Sequence, residues 1–110
     1  MNNQPLSIAE IRIGIRDVLS GYSIHRAAVF GSYARGEATE KSDLDVLVEP
    51  RGRVSLLHLI DIQLALEDRF QLPVDIVTFR SLNQSKMGGE ILREALDVYE
   101  QDAVDTRAHA

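Results

Sequence analysis

The chain contains no cysteine, so disulfide staples, cysteine-ligated zinc and thiol nucleophiles are excluded at the outset. It also lacks a basic excess. Twelve Lys and Arg stand against 17 Asp and Glu, a net charge of -5, which argues against a surface that grips a nucleic-acid backbone over a wide area and leaves room for a small basic pocket only. No apolar run is long enough to cross a bilayer. The opening residues MNNQPLS show neither a basic cluster nor an apolar signal segment, so a cytoplasmic location is expected, with neither a membrane nor a nucleic acid as direct partner. Repeats and low-complexity tracts are missing as well. What is present is ordinary globular composition: 110 residues, 45% apolar and 26% charged, enough for one core. The expected organisation is a single domain over residues 1–101 with a frayed tail over 102–110.

Apolar residues Leu6, Ile8, Ile11, Ile15, Val18 and Leu19 recur at three- and four-residue steps, which predicts a first amphipathic helix with Ser7 available as its cap, ended by Gly21. RAAVFGS is a short apolar run without that spacing and predicts a buried strand bounded by Gly31. A polar segment from Glu37 to Ser42 leads to LDVLVEP, a second strand stopped by Pro50. Gly52 then separates it from a helical block, RVSLLHLIDIQLALEDRF, followed by a third strand in LPVDIVTF. The last block, SLNQSKMGGEILREALDVYEQ, predicts a helix through Ile91, Leu92, Ala95, Leu96 and Tyr99, its start delayed by Gly88 and Gly89. The fold class expected from this order is α+β, a small mixed sheet with helices packed on it, because the first two strands are joined by too few residues for a parallel crossover.

Alternation along the second strand puts Asp43, Asp45 and Leu47 on one side and Leu44, Val46 and Val48 on the other. The apolar set faces the core, which leaves two carboxylates close together, and like charges disfavour one another unless a cation lies between them. Asp75 is an acid between Val74 and Ile76 in the third strand. If these strands are neighbours, Asp43, Asp45 and Asp75 converge, and three hard oxygen donors suit Mg²⁺ or Mn²⁺. Two such ions would stabilise both the attacking and the leaving oxygen of a phosphoryl displacement. Each acid also has a plainer reading, since Asp is common in turns and a lone acid in a strand can answer an Arg or a helix end. Gly31 and Ser32, at the end of the first strand, supply a sharp turn, a close backbone approach and a hydroxyl. If YARG begins a helical turn, free N–H groups there would face an anion, and Arg35 could meet a triphosphate.

Taken together, GSYARGEATEKSDLDVLV resembles the GS-x10-DxD signature of the nucleotidyltransferase superfamily that includes DNA polymerase beta, and in particular its minimal nucleotidyltransferases. VDIV supplies Asp75 where that family carries its third carboxylate. The resemblance spans roughly residues 5 to 100. It implies a nucleotide-binding turn at Gly31 and Ser32, and metal ligands at Asp43, Asp45 and Asp75, with Asp75 helping to activate the attacking hydroxyl. Arg35 and Ser42, inside the motif, are implied nucleotide contacts, and Lys41 is a weaker one. Stand-alone minimal nucleotidyltransferases resemble the antitoxin half of toxin–antitoxin pairs whose partner is a HEPN-domain ribonuclease. The activity this implies is transfer of AMP from ATP, with Mg²⁺, to a tyrosine of the HEPN toxin.

Two alternatives stand beside it: a non-catalytic module that neutralises a toxin by occlusion, and an enzyme that nucleotidylates a small molecule. Presence of all three acids weighs against the first, and the absence of a pocket-forming second domain against the second. Arg53 and His58 have the R-x4-H spacing of HEPN ribonucleases, but in a chain rich in strands His58 reads as a helix-surface or packing residue. Tyr22 and Tyr99 read as packing residues, whereas Tyr33, inside the glycine-serine turn, could cover a nucleotide.

Overall fold

The structure is a computed structural model and describes residues 4–101; the expected tail over 102–110 lies outside the described residues. The first helix, α1 (Ile8–Leu19), starts where the sequence places it. The Ser7 hydroxyl accepts from the Glu10 N–H at 3.1 Å, and the Ser7 N–H donates to the Glu10 carboxylate at 2.9 Å, so two of the helix's unpaired N-terminal donors are satisfied reciprocally. Ile11, Ile15 and Leu19 are fully buried. Gly14 is buried on the same face because a Cβ there would run into the Phe70 ring, so its absence sets how closely α1 approaches the next long helix.

Strand β1 (Ile24–Phe30) leads through Gly31 into the single turn α2 (Ser32–Arg35), and β2 (Leu44–Pro50) returns antiparallel to β1. Helix α3 (Leu56–Phe70) begins later than the block RVSLLH suggests. The Ser55 hydroxyl accepts from the His58 N–H at 3.2 Å and caps it, so Arg53 lies before the helix, while His58 sits exposed in its first turn with Nδ1 3.2 Å from the Ser55 hydroxyl. The crossover through α3 delivers β3 (Val74–Thr78) parallel to β2.

The C-terminal third departs from expectation. Instead of one helix there are the short turn α4 (Phe79–Leu82), helix α5 (Gly88–Glu94) and a fourth strand, β4 (Leu96–Glu100), which pairs antiparallel with β1. The helical spacing through Ile91 and Ala95 does continue to Leu96 and Tyr99. However, β1 has a free edge on that side whose N–H and C=O groups need partners, and pairing residues 96–100 there satisfies them. Asp97 is exposed, Val98 is buried and Tyr99 is half-buried, and Val and Tyr are residues that fit a pleated surface well. Gly88 is buried against Leu82, whose carbonyl a Cβ would strike, so only glycine lets α5 pack directly on α4.

The sheet order is β3-β2-β1-β4, a mixed sheet in an α+β fold. One face carries the main core, in which Ile11, Ile15 and Leu19 of α1 and Ile62, Leu66 and Phe70 of α3 meet Ala27, Val29, Leu44, Val46, Val48 and Val98 of the sheet. The opposite face is covered at one end only: Ala28, Leu47 and Leu82 form a second cluster, flanked by Phe30, Val77, Phe79, Ile91 and Ala95. Leu47 is therefore buried on the side the alternation assigns to the acids, because α4 and α5 roof that part of the sheet. The uncovered end of this face carries the carboxylates.

Candidate active site

Asp45 lies on an inner strand, opposite Phe30 of β1 and beside Asp75 of β3. In-register parallel neighbours put their side chains on the same face, so the register alone brings these two acids together. Asp43 sits just ahead of β2 and is exposed. The entry of β2 is anchored by the Leu44 N–H, which donates to the Pro73 carbonyl at 2.9 Å. The start of β3 is held just as firmly by α3: the Val74 N–H donates to the Glu67 carboxylate at 2.9 Å and the Gln63 amide donates to the Val74 carbonyl at 2.8 Å. Two side chains of one helix thus fix the peptide that presents Asp75.

Electrostatics mark Asp45 as the strained member. Its pKa is pushed from 3.8 up to about 6, first by burial and then by the charges of Asp75 and Asp43 and a hydrogen bond with Asp75, with Arg35 pulling the other way. Negative charge is concentrated here beyond what the chain itself neutralises, and a cation would relieve it. The donor set, carboxylate oxygens only, suits a hard divalent ion. Among the described residues no three acidic, imidazole or thiol groups form a ready-made cage; Asp45 and Asp75 are paired by the strand register, and both Asp75 and Asp43 are exposed to solvent.

The glycine-serine turn packs directly on this pair. Gly31 has φ 74 and ψ -150, and a Cβ on it would overlap the Asp45 carboxylate. Both facts require glycine, the first because L side chains are strained at positive φ and the second for want of space. Ser32 opens α2, and its hydroxyl makes no hydrogen bond among the described residues. Arg35 is exposed, its Nε donating to Glu37 at 2.8 Å and its Nη1 to both oxygens of Glu94 at 3.3 Å.

Other expected contacts fall differently. The Ser42 hydroxyl accepts from the Thr39 N–H at 2.8 Å while the Ser42 N–H donates to the Thr39 carbonyl at 3.0 Å, so Ser42 closes the loop that delivers Asp43. Lys41 is exposed in that loop. Tyr33 does not cover a nucleotide: it is buried in the main core and its hydroxyl accepts from the Leu6 N–H at 3.4 Å. Sequence reasoning missed Glu94, whose carboxylate accepts a 2.7 Å hydrogen bond from the Gly31 N–H. Only the pairing of β4 with β1, with Leu96 opposite Val29, carries it to the turn, and reading LDVYE as a strand would have found it. A groove of about 860 Å³ lies at the other end of the strands, between Arg26, Glu49, Thr78 and Phe79, and holds none of these groups.

The chain and its fold match known proteins. The family described as polymerase beta, nucleotidyltransferase, matches residues 14–104. This chain belongs to that nucleotidyltransferase family. Relatives within it include a Methanocaldococcus jannaschii protein that carries the name of a protein adenylyltransferase, 40% identical over 93 residues that cover 84% of this chain and 99% of the relative. The protein adenylyltransferase MntA of Thermococcus cleftensis is 39% identical over 83 residues, covering 76% of this chain and 83% of MntA. A solved minimal nucleotidyltransferase superposes with a TM-score of 0.69 at 36% identity, over 83% of this chain and 95% of that one. The nucleotidyltransferase fold also recurs, at 19% and 17% identity, in a toxin–antitoxin complex with AMP-PNP (TM-score 0.66, 93% of this chain and 80% of that one) and in a complex of a tri-AMPylated Shewanella oneidensis HEPN toxin with its MNT antitoxin (TM-score 0.57, 91% and 75%).

Proposed function

We propose that this nucleotidyltransferase moves AMP from ATP to a tyrosine hydroxyl of a HEPN-domain toxin and thereby acts as its antitoxin. The observation that carries the reading is the in-register pair Asp45 and Asp75 packed against Gly31, which puts a carboxylate pair beside a turn that offers N–H groups to phosphate. The names of the relatives, protein adenylyltransferase and antitoxin of a HEPN toxin, support adenylyl transfer and the class of partner. Asp43, Asp45 and Asp75 would hold Mg²⁺ or Mn²⁺, two ions in all. Such ions supply charge neutralisation at the α-phosphate and at the leaving pyrophosphate.

The chain's own groups do the rest. Gly31 and Ser32 seat the triphosphate, Ser32 through its unengaged hydroxyl, and Arg35 neutralises phosphate charge. Asp75 accepts the proton of the incoming hydroxyl. The hydroxyl oxygen bonds to the α-phosphorus as the bond to pyrophosphate breaks, leaving an AMP ester on the acceptor. Ser42 contributes by holding the Asp43 loop.

The test is incubation of the purified protein with Mg²⁺, α-labelled ATP and the all-helical product of an adjacent reading frame, followed by intact-mass measurement of both chains. AMP units on the partner, absent with an Asp43→Asn, Asp45→Asn variant, are the expected outcome. A tight complex and full neutralisation of the toxin by the variant, with no AMP transfer by either form, would show instead that the chain works by occlusion.

A further inference from the structure

The turn read as a phosphate seat is already engaged by an anion of the chain's own. Glu94, the last residue of α5, takes the Gly31 N–H at 2.7 Å and the Arg35 guanidinium at 3.3 Å. A backbone N–H at a tight turn and a guanidinium alongside it are the donors by which proteins bind phosphate oxygens. A carboxylate presents the same two features to them, a negative charge and paired oxygens. We propose that Glu94 is an internal competitor of the nucleotide: its carboxylate occupies a phosphate position and has to withdraw before the triphosphate can seat, so Glu94 sets the affinity of this enzyme for ATP.

Three features of the structure support withdrawal over a fixed structural bond. The Glu94 side chain is partly exposed, at 29%, and Arg35 at 47%, so both reach water without unfolding of the core. Arg35 has a second partner in Glu37 at 2.8 Å and therefore stays paired when Glu94 leaves. Glu94 also lies at a junction, since Ala95 is already extended and β4 begins at Leu96, which lets the last turn of α5 adjust while β4 stays paired to β1. A tethered anion that must vacate the site raises the apparent dissociation constant by the reciprocal of the vacated fraction. A carboxylate docked about nine times in ten thus weakens ATP binding about tenfold.

This inference rests on the reading of Gly31 and Arg35 as the nucleotide's phosphate seat, and the experiment separates the two. Binding of Mg²⁺-ATP and of adenosine is measured by titration calorimetry for the wild type, E94Q and E94A. E94Q is nearly isosteric and preserves packing, and E94A removes the group altogether. The expected result is ATP binding about tenfold tighter in both variants, with adenosine affinity unchanged because adenosine brings no phosphate to the contested seat. Wild-type binding of ATP with no gain in the variants, a loss in them, or an equal gain for adenosine would overturn the inference and leave the nucleotide site standing. A loss would make Glu94 a buttress of the turn. If neither the wild type nor the variants bind ATP, the phosphate seat itself is wrong and the inference goes with it.

Discussion

Replacing Asp45 by Asn should stabilise the metal-free protein at neutral pH while abolishing its activity. The carboxyl is raised from 3.8 to about 6 by burial and by its acidic neighbours, so its proton is held more tightly in the folded chain than in the unfolded one. A group raised in this way contributes stability that is complete below pH 3.8 and is lost as pH climbs through about 6. For a dry site the full difference would be about 3 kcal/mol. Asp45 is only partly buried, and solvent screening brings the expected figure to about 1–1.5 kcal/mol. Urea unfolding in EDTA at pH 4.5 and 7.5, for wild type and D45N, reads the difference directly. Wild-type stability should fall by about 1 kcal/mol relative to D45N between those pH values, and millimolar Mg²⁺ at pH 7.5 should restore it in wild type alone. Parallel pH profiles for the two proteins would refute the argument, because they would mean that Asp75 and Asp43 leave Asp45 unstrained.

Three further outcomes follow from packing and positioning. Gly31→Ala places a Cβ on the Asp45 carboxylate at φ 74; it should cost about 1–3 kcal/mol in urea unfolding and reduce AMP transfer more than about a hundredfold. Gly14→Ala would gain about 1 kcal/mol on helix propensity alone, yet its Cβ meets the Phe70 ring, so thermal unfolding should show a net loss of about 1–2 kcal/mol; a gain would mean that Phe70 can move aside. Glu67→Ala frees the Val74 N–H that anchors the Asp75 strand and should lower the rate of AMP transfer about tenfold while leaving the affinity for ATP unchanged; a change in affinity alone would contradict a positioning role.

Much of the site was legible because it is local. Gly31, Ser32, Asp43 and Asp45 lie within fifteen residues of one another, and alternation along β2 is enough to place Asp45 on the side away from Leu44 and Val46, although Asp43 stands just ahead of the strand. Ser7 as a cap and the helical spacing of α1 were equally local and hold in the structure; α3 forms too, but its spacing through Leu57, Ile60 and Leu64 lies exposed while Ile62, Leu66 and Phe70 make its buried face. Asp75 needed a guess about which strands are neighbours, and the β2–β3 register settles it. Tyr33 was left open because its place in the turn said nothing about the direction of its ring, and the structure packs that ring into the main core.

What the sequence determined by itself is the set of elements whose periodicity survives in isolation, together with the spacing that links turn and carboxylates. The tertiary structure decided the remainder. Residues 96–100 continue a helical pattern and still form β4, because the open edge of β1 offers hydrogen bonds that a longer α5 would leave unmade. Leu47 is buried on the face of the acids because α4 and α5 close over it. Glu94 meets Gly31, 63 positions away in the chain, only because that same strand pairing brings the end of α5 to the turn. Hydrogen-bonding demand at a sheet edge is a property of the assembled fold, and no window of sequence around these residues contains it.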